Sequence, residues 1–420
     1  MLGDSFEPAL DALYVRFFSS VIDYCRRQPS FRVLDGLLRE YGLTTKQQLL
    51  DRAARIRSAQ YPPVSNAAIK RVRTVLVPSR VTLGADVAVT SVILNRMKAV
   101  FPNARMALLG NAKARSLFAS DARVELIETA YPRRGTLRER LDAWGALRHS
   151  VSKHLESLTP DEYVLVDPDS RLTQLGLLPL ARDESRHYLF QSRSYSSAGF
   201  QPLALLTGCW LDEVFGDASP IARGSDYRPE YPYVALPAED VVRGKALRDS
   251  VRGRLAAVNL GVGGNAQKRV EDPFEAELLS ALIEAGYTLV LDRGAGEEEL
   301  QRTAHLIGEL RSQGKTVSDV TPTGGSVSSA DVFVWEGSFS GFGGLVASAD
   351  LYCGYDSAGG HLASAIGVPV IDIFTDGSPA RLRERWTPWG EGPVRVIAAR
   401  RPDPCKALKE FRAALREHAR

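Results

Sequence analysis

The feature that most constrains this chain is an alternation of short apolar runs with helical stretches, repeated in two blocks. In the first block, the apolar run 74–78 is followed by a glycine-containing turn, a helical stretch to Val100 and a second apolar run, 104–110. Further apolar runs lie at 124–127 and 163–167. This order is typical of a parallel α/β sheet, in which a helix links each strand to the next.

The second block begins after a proline-rich stretch, 227–233, with Pro237 beyond it. We interpret this stretch as a linker between two domains, because it has neither helical nor strand periodicity. A chain of 420 residues also exceeds what one hydrophobic core usually supports. The strands predicted after the linker are 255–260, 287–291, 351–354 and 368–374, with a helix from Pro273. We therefore predict an α/β protein with two Rossmann-like domains facing a cleft, at 71–235 and 236–402.

Both ends of the chain read as helical. Within residues 1–70, Leu34, Leu37, Leu38 and Tyr41 follow at helical spacing. No chemistry is evident there, so we expect an added packing or dimerisation layer. Residues 403–420 are expected to form a C-terminal helix.

Composition narrows the class of protein. The formal net charge of +3 gives no argument for binding nucleic acid. The four cysteines are far apart in sequence, which favours a reducing cytoplasm over a disulfide framework. The start of the chain lacks the pattern of a secretory signal, and no apolar run approaches the roughly 20 residues of a membrane span. We expect a cytoplasmic protein without an integral membrane segment, at most peripheral to the inner face of a membrane.

Ligands of parallel sheets bind at the carboxyl ends of the strands, so the loops that follow the strands are the places to search. The first such loop contains Gly84 and Asp86. Asp86 is a carboxylate at the start of a helix and a candidate functional acid. Spacing alone favours a simpler role, in which Asp86 caps the helix for about 1 kcal/mol.

The first loop of the second domain carries Gly261, Gly263 and Gly264, followed by Lys268. Glycines after a strand leave backbone N–H groups free to bind an anion, and a helix start is expected soon after. Charge-assisted hydrogen bonds from such groups are worth roughly 1.5–3 kcal/mol each. The spacing matches neither a Walker P-loop nor a dinucleotide-binding fingerprint, and a flexible surface turn explains it equally well.

Two further loops of this domain carry candidate residues. The loop 356–361 lies between a strand and a helix of small residues, so the amides of Ser357, Ala358 and Gly359 are suited to a diphosphate. Asp356 is a candidate for a sugar hydroxyl, and His361 lies on the first turn of the same helix. In the loop 294–298, Glu298 is a candidate for ribose hydroxyls, or simply an acid that favours the helix dipole.

A local basic stretch contains Arg133 and Arg134 and is a candidate for an anionic acceptor. Glu139 and Asp142 dilute its charge, which favours a solvated helix face instead.

Taken in order, these loops resemble the heptosyltransferase family, the ADP-heptose-using glycosyltransferases of family 9, which have the GT-B fold. The resemblance runs from about residue 73 to about residue 390. Residues 356–370 look like the family's Asp-Ser/Thr-Gly-x-x-His-x-Ala-x-Ala-x-Gly-x-Pro signature, and residues 86–90 with 101–104 look like its opening motif. Two positions depart from the pattern, because Ala85 and Ala358 stand where the family usually has glycine.

The resemblance implies an inverting transfer of a sugar, heptose from ADP-heptose above all, to a hydroxyl of lipopolysaccharide core, a natural product or a protein. Asp86 would be the general base, and Lys268 would neutralise the leaving diphosphate. It implies neither a metal nor a cofactor beyond the donor itself. The residues assigned to the donor are Gly263, Gly264, Lys268, Glu298, Asp356, Ser357, Ala358, Gly359 and His361. The same scaffold also hosts nucleotide-sugar epimerases, hydrolases and noncatalytic binding proteins, which stay open as alternatives.

Overall fold

The computed structural model describes residues 6–61, 64–132, 135–197, 202–216, 231–320 and 330–418. The chain divides into two compact units. The N-terminal unit comprises Met1–Arg115 with Asp121–Pro232, and the C-terminal unit comprises Ser116–Ser120 with Tyr233–Arg420. The chain therefore passes between the units at the end of the proline-rich stretch, of which 227–230 lie outside the described residues.

The N-terminal unit is built on a five-stranded sheet in the order β3-β2-β1-β4-β5, with all neighbouring strands parallel. Every residue of β1 and β4 is buried, as expected for parallel strands covered on both faces. The predicted strands are confirmed, and β5 is an additional one. The strands are β1 Thr74–Pro78, β2 Arg105–Gly110, β3 Val124–Glu128, β4 Tyr163–Asp167 and β5 His187–Leu189.

The helices of residues 1–70 pack into the core of this unit. Ile22, Leu38 and Leu49 are fully buried in one apolar cluster with Leu76 of β1 and Trp144. The extension therefore covers one face of the sheet and shares its core. The helices of this part of the chain are α1 Pro8–Arg26, α2 Arg32–Glu40, α3 Lys46–Arg57, α4 Asn66–Arg71, α5 Leu83–Ala85, α6 Ser91–Val100, α7 Ala112–Ser116, α8 Leu137–Leu155 and α9 Leu203–Phe215.

The C-terminal unit is built on a seven-stranded parallel sheet in the order β12-β11-β10-β6-β7-β9-β8. The four strands predicted here are confirmed, each to within two residues at its ends. Three further strands, β8, β9 and β12, were not predicted. The strands are β6 Arg254–Asn259, β7 Tyr287–Asp292, β8 Val317–Val320, β9 Val332–Trp335, β10 Leu351–Tyr355, β11 Val370–Thr375 and β12 Val394–Ala399.

Helices cover both faces of this second sheet. On one side, α10 and α13 approach closely at Gly244 and Gly344, since a Cβ on Gly244 would lie 1.8 Å from the Gly344 carbonyl oxygen. On the other, α11 and α16 bury Leu278, Leu282 and Phe411. Within the described ranges, no helix is long and apolar enough to cross a membrane. The helices are α10 Ala238–Ser250, α11 Phe274–Glu284, α12 Glu297–Ser312, α13 Phe339–Val346, α14 Ala358–Ile366, α15 Ala380–Trp386 and α16 Pro404–His418.

Candidate functional site

In the N-terminal unit, Asp86 lies at the carboxyl edge of the sheet, just beyond β1, and its side chain is buried. One carboxylate oxygen, Oδ2, accepts a hydrogen bond from the Ser79 hydroxyl at 2.7 Å. The other, Oδ1, accepts from the Arg80 backbone N–H at 2.7 Å and from the Thr90 hydroxyl at 2.8 Å. The carboxylate is thus held by donors from both the strand loop and the helix.

The simpler expectation for Asp86, that it caps the helix, is wrong. The helical segment starts at Leu83 and is preceded by Thr82, so Asp86 lies one turn inside it. Residues Asp86–Thr90 form a π-helical turn between α5 and α6. Such single π-helical turns inside helices occur frequently at functional sites.

Burial changes the acidity of Asp86. It raises the pKa of this carboxyl above its ordinary value, and the hydrogen bonds from Ser79, Thr90 and Arg80 offset only part of the rise. A carboxylate with a raised pKa is a better proton acceptor. The arrangement is therefore chemically suited to a general base.

In the C-terminal unit, two residues that were predicted to bind the nucleotide-sugar donor contact each other, although they are far apart in sequence. Lys268 lies in a 3₁₀ turn, Ala266–Lys268, after β6, and Asp356 follows β10. The Lys268 ammonium donates to the Asp356 carboxylate at 2.5 Å and to the Asp356 carbonyl oxygen at 3.0 Å. Lys268 is thereby held at the start of α14, the helix of the predicted diphosphate loop.

The first turn of α14 has a serine N-cap and packs closely against Tyr352 of β10. Ser357 is the N-cap residue, and its hydroxyl oxygen accepts from the Gly359 N–H at 3.4 Å. The glycine that this turn requires is Gly359, because a Cβ there would lie 2.1 Å from the hydroxyl oxygen of Tyr352. The methyl group of Ala358, at the preceding position, is accommodated.

His361 lies one turn into α14 and is buried. Its ring meets Trp386 edge to face, with the ring centroids 5.8 Å apart. Burial lowers the pKa of His361 to about 4, in spite of the nearby Asp356 carboxylate. His361 is therefore a neutral imidazole near pH 7, able to donate or accept a hydrogen bond but carrying no charge for a phosphate.

The glycine loop differs from the prediction. Gly263 and Gly264 both have positive φ, at 61° and 76°, so the loop does need glycine. However, the amides of Val262 and Gly263 are not free, since both donate to one carboxylate oxygen of Glu299, at 2.9 and 3.0 Å. The helix that follows directly is only the 3₁₀ turn Ala266–Lys268, and the next α-helix, α11, begins at Phe274. What the loop presents is Lys268.

Glu299 is a functional candidate that the sequence reasoning missed. Its second carboxylate oxygen accepts from the Ala295 N–H at 2.9 Å, so one side chain ties the loop after β6 to the loop after β7. Glu298, the residue that was predicted, is exposed in the first turn of α12. The helical period was the available signal, because it turns only one of the adjacent acids 297–299 towards the sheet.

Two further carboxyl groups lie close to this site, Asp292 half-buried and Asp372 buried. Asp292, at the end of β7, binds the Asn259 amide, and burial raises the pKa of Asp292 to about 6. Asp372, within β11, is 1% exposed, and burial together with the Asp356 charge raises its pKa well above the ordinary value. The predicted acceptor residues Arg133 and Arg134 lie outside the described residues.

Comparison with solved structures defines the class of fold as GT-B, the two-unit fold of many glycosyltransferases. A family 9 glycosyltransferase from Veillonella parvula is similar over 78% of this chain and 86% of its own, with a TM-score of 0.54 and 13% identity. ADP-heptose lps heptosyltransferase II of E. coli is similar over 83% of this chain and 100% of its own, with a TM-score of 0.53 and 16% identity. E. coli heptosyltransferase WaaC with ADP is similar over 82% of this chain and 99% of its own, with a TM-score of 0.50 and 17% identity.

Sequence comparison confirms the predicted resemblance for the C-terminal unit. Residues 268–412 match the model of glycosyltransferase family 9 (heptosyltransferase). Lipopolysaccharide heptosyltransferase 3 of Escherichia coli is 29% identical over 121 residues, which are 29% of this chain and 30% of that relative. The chain thus has the GT-B fold, and the region that matches the family 9 model begins at Lys268 and includes Asp356, Ser357 and His361. Asp86 lies outside that region.

Proposed function

We propose that this chain is an inverting glycosyltransferase that moves heptose from ADP-heptose to an acceptor hydroxyl. The observation that carries the proposal is the contact of Lys268 with the Asp356–Ser357 start of α14, inside the family 9 region. The names of similar proteins support the choice of donor, since E. coli WaaC has been solved with ADP and with ADP-2-deoxy-2-fluoro heptose.

On the donor side, the chemistry is the release of a nucleoside diphosphate. As the bond from the anomeric carbon to the phosphate oxygen lengthens, negative charge grows on the diphosphate. Lys268 and the N–H groups of the first turn of α14 stabilise that charge more in the transition state than in the bound donor. Asp356 keeps the Lys268 ammonium in place before the donor arrives, so little reorganisation is needed.

On the acceptor side, we assign Asp86 as the general base. The acceptor oxygen attacks the anomeric carbon, the bond to the diphosphate breaks, and the hydroxyl proton passes to the Asp86 carboxylate. The acceptor attacks the face of the anomeric carbon opposite the diphosphate, and ADP leaves with the bonding electron pair, so the configuration at that carbon is inverted. Ser79, Arg80 and Thr90 orient the carboxylate for this step.

The proposal includes several finer assignments. Transfer needs no metal, because Lys268 and the amides supply the charge that a cation would provide. Glu298 binds the ribose from its exposed position, and Arg133 and Arg134 meet an anionic acceptor such as lipopolysaccharide core. The protein acts in the cytoplasm, where nucleotide sugars are made available to such enzymes.

The test is a transfer assay with ADP-heptose and heptose-accepting lipopolysaccharide core, in which ADP release and product formation are both measured. Lys268→Ala and Asp86→Ala should each lower transfer by roughly 10²–10⁴-fold. Lys245→Ala, an exposed lysine of the same unit paired with Asp249, is the matched control and should transfer at the wild-type rate. Addition of EDTA should leave the rate unchanged.

Two outcomes would contradict this assignment. If Lys268→Ala and Asp86→Ala transferred sugar at the wild-type rate, the assignment of this site would be wrong. Consumption of donor at the same rate with and without acceptor would instead indicate an epimerase or a hydrolase.

A further inference from the structure

Three loops of the N-terminal unit meet at the carboxyl edge of its sheet. They follow β1 (79–82), β4 (168–175) and β5 (190–195). Outside glycine, positive φ angles among the described residues occur at Phe6 and at four positions in these loops: Val81 at 73°, Asp169 at 67°, Gln174 at 51° and Leu175 at 61°. Such conformations cost energy and persist only where surrounding contacts enforce them, as happens at functional sites.

Asp169 connects the loop after β4, in which it lies, to the loop after β5. Its side chain is completely buried, and its Oδ2 accepts from the Ser192 hydroxyl at 3.2 Å. Arg193 binds the same residue twice, with Nη1 at 2.8 Å from both Oδ2 and the Asp169 carbonyl oxygen. The loop after β4 is thereby fastened to the loop after β5.

The loop after β1 is attached to the other two loops through Arg80. Its guanidinium donates to the Ser192 hydroxyl and, at 3.1 Å, to the Pro168 carbonyl oxygen. Arg80 is also the residue whose backbone N–H binds the Asp86 carboxylate. A chain of contacts therefore leads from Asp169 through Ser192 and Arg80 to Asp86.

The N-terminal helices contact the loops after β4 and β5 through Asp11 and Arg57. Asp11 of α1 is buried, pairs with Arg57 at the end of α3, and accepts from the Ser194 hydroxyl at 3.1 Å. Arg57 also donates to the Leu175 carbonyl oxygen at 3.2 Å. Its own carbonyl oxygen accepts from the Gln191 side chain at 2.7 Å.

Nearby positive charges explain why the Asp169 carboxylate is stable although it is buried. Burial alone would raise the pKa of Asp169, but Arg193, Arg57 and Arg80 outweigh that effect and lower the pKa below its ordinary value. Asp169 is therefore ionised, and each of its three cations comes from a different part of the chain. Removal of the carboxylate charge would leave Arg193 without its ion-pair partner and would take away the nearby negative charge that attracts Arg57 and Arg80.

We propose that Asp169 is a positioning residue, which holds the proposed base Asp86 in place on the acceptor side. We further propose that the N-terminal helices contribute to catalysis by holding Asp169 through Asp11 and Arg57. The part of the proposal that concerns catalysis rests on the proposed function, in which Asp86 is the base. Asp169 is buried, so it acts through Arg80 on Asp86. This gives residues 1–70 a role beyond packing.

The first test is a cycle of turnover measurements. Asp169→Asn should lower kcat at least about tenfold, with the KM for the nucleotide sugar unchanged within about twofold. In an Asp86→Asn background the same substitution should change the residual rate by less than about twofold, because the carboxylate that it positions is gone. Asp11→Asn and Ser192→Ala, the milder variants, should act in the same direction. Asp23→Asn breaks an Asp–Arg pair elsewhere on α1 and is the matched control, with no effect expected.

The second test does not depend on activity. Hydrogen exchange of the Arg80 amide, which binds Asp86, should be at least about tenfold faster in Asp169→Asn, Ser192→Ala and Asp11→Asn than in wild type or Asp23→Asn. Unchanged exchange in these variants, or an equal loss of turnover in both Asp86 backgrounds, would overturn the inference. If the wild type consumed no nucleotide sugar at all, the proposed function would fail, and the exchange data would still decide whether Asp169 holds the loop.

Discussion

Replacing Lys268 with alanine removes the ammonium group that binds the buried Asp356 carboxylate. The structure sets the expected cost. The side chain of Lys268 is 29% exposed and that of Asp356 is 8% exposed, with two hydrogen bonds at 2.5 and 3.0 Å. Exposed ion pairs contribute about 0.2–1 kcal/mol, and breaking a fully buried pair costs about 3–5 kcal/mol. Because one partner is buried and the other is partly solvated, we expect a loss of about 2 kcal/mol in the free energy of unfolding.

Urea unfolding of Lys268→Ala, Asp356→Asn and the double variant measures this cost. Asp356→Asn removes the uncompensated charge, so the double variant should be more stable than the sum of the single losses predicts, by about 1 kcal/mol or more. The exposed pair of Lys245 and Asp249, taken through the same cycle, should show a coupling of about 0.3–0.5 kcal/mol. If Lys268→Ala unfolded at the wild-type urea concentration and the two losses were additive, the pair would not be a preformed part of the site.

Three further predictions concern other parts of the site. Burial raises the folded-state pKa of Asp86 above its unfolded value, so ionisation of this carboxyl costs stability as pH rises above about 3.8. The unfolding free energy of Asp86→Asn relative to wild type, measured by urea unfolding at a series of pH values, should therefore increase as pH rises from there, while the variant loses transfer. Glu299→Gln should lower the free energy of unfolding by about 1–3 kcal/mol, because the amide group cannot accept from all three backbone N–H groups. Glu298→Gln, by contrast, should keep the wild-type thermal midpoint and weaken only the binding of ADP-heptose. Gly359→Ala should lower the free energy of unfolding by about 1–3 kcal/mol, because the added methyl group clashes with the Tyr352 hydroxyl. In a double-mutant unfolding cycle, Tyr352→Phe should restore part of that loss.

The sequence predicts strands best where both faces are buried. In β1, β4 and β6 burial produces continuous apolar runs, which are visible without any partner. The missed strands are short or partly exposed: β5 has three residues, β9 has four although all of them are buried, and most positions of β8 and β12 keep access to solvent. Their identity as strands depends on the neighbour with which they pair, which local sequence does not contain.

The site shows the same limit. The residue types at 268, 356, 357 and 359 indicate an anion site, because glycines, a lysine and a helix start have few other combined uses. That Lys268 binds Asp356 follows only from the sheet order, which places β10 next to β6. The choice between Glu298 and Glu299 depends on how α12 is rotated against the sheet. The role of Asp169 depends on contacts among three loops that are far apart along the chain.

The most direct test of the account is calorimetric titration of the whole chain with ADP and ADP-heptose. We expect one binding site per chain. Its affinity should be at least about tenfold weaker in Lys268→Ala, a change of about 1.4 kcal/mol or more, and unchanged in Lys245→Ala. Absence of nucleotide binding by the wild type, or equal binding by Lys268→Ala, would contradict the claim that the start of α14 and Lys268 bind the diphosphate of a sugar donor.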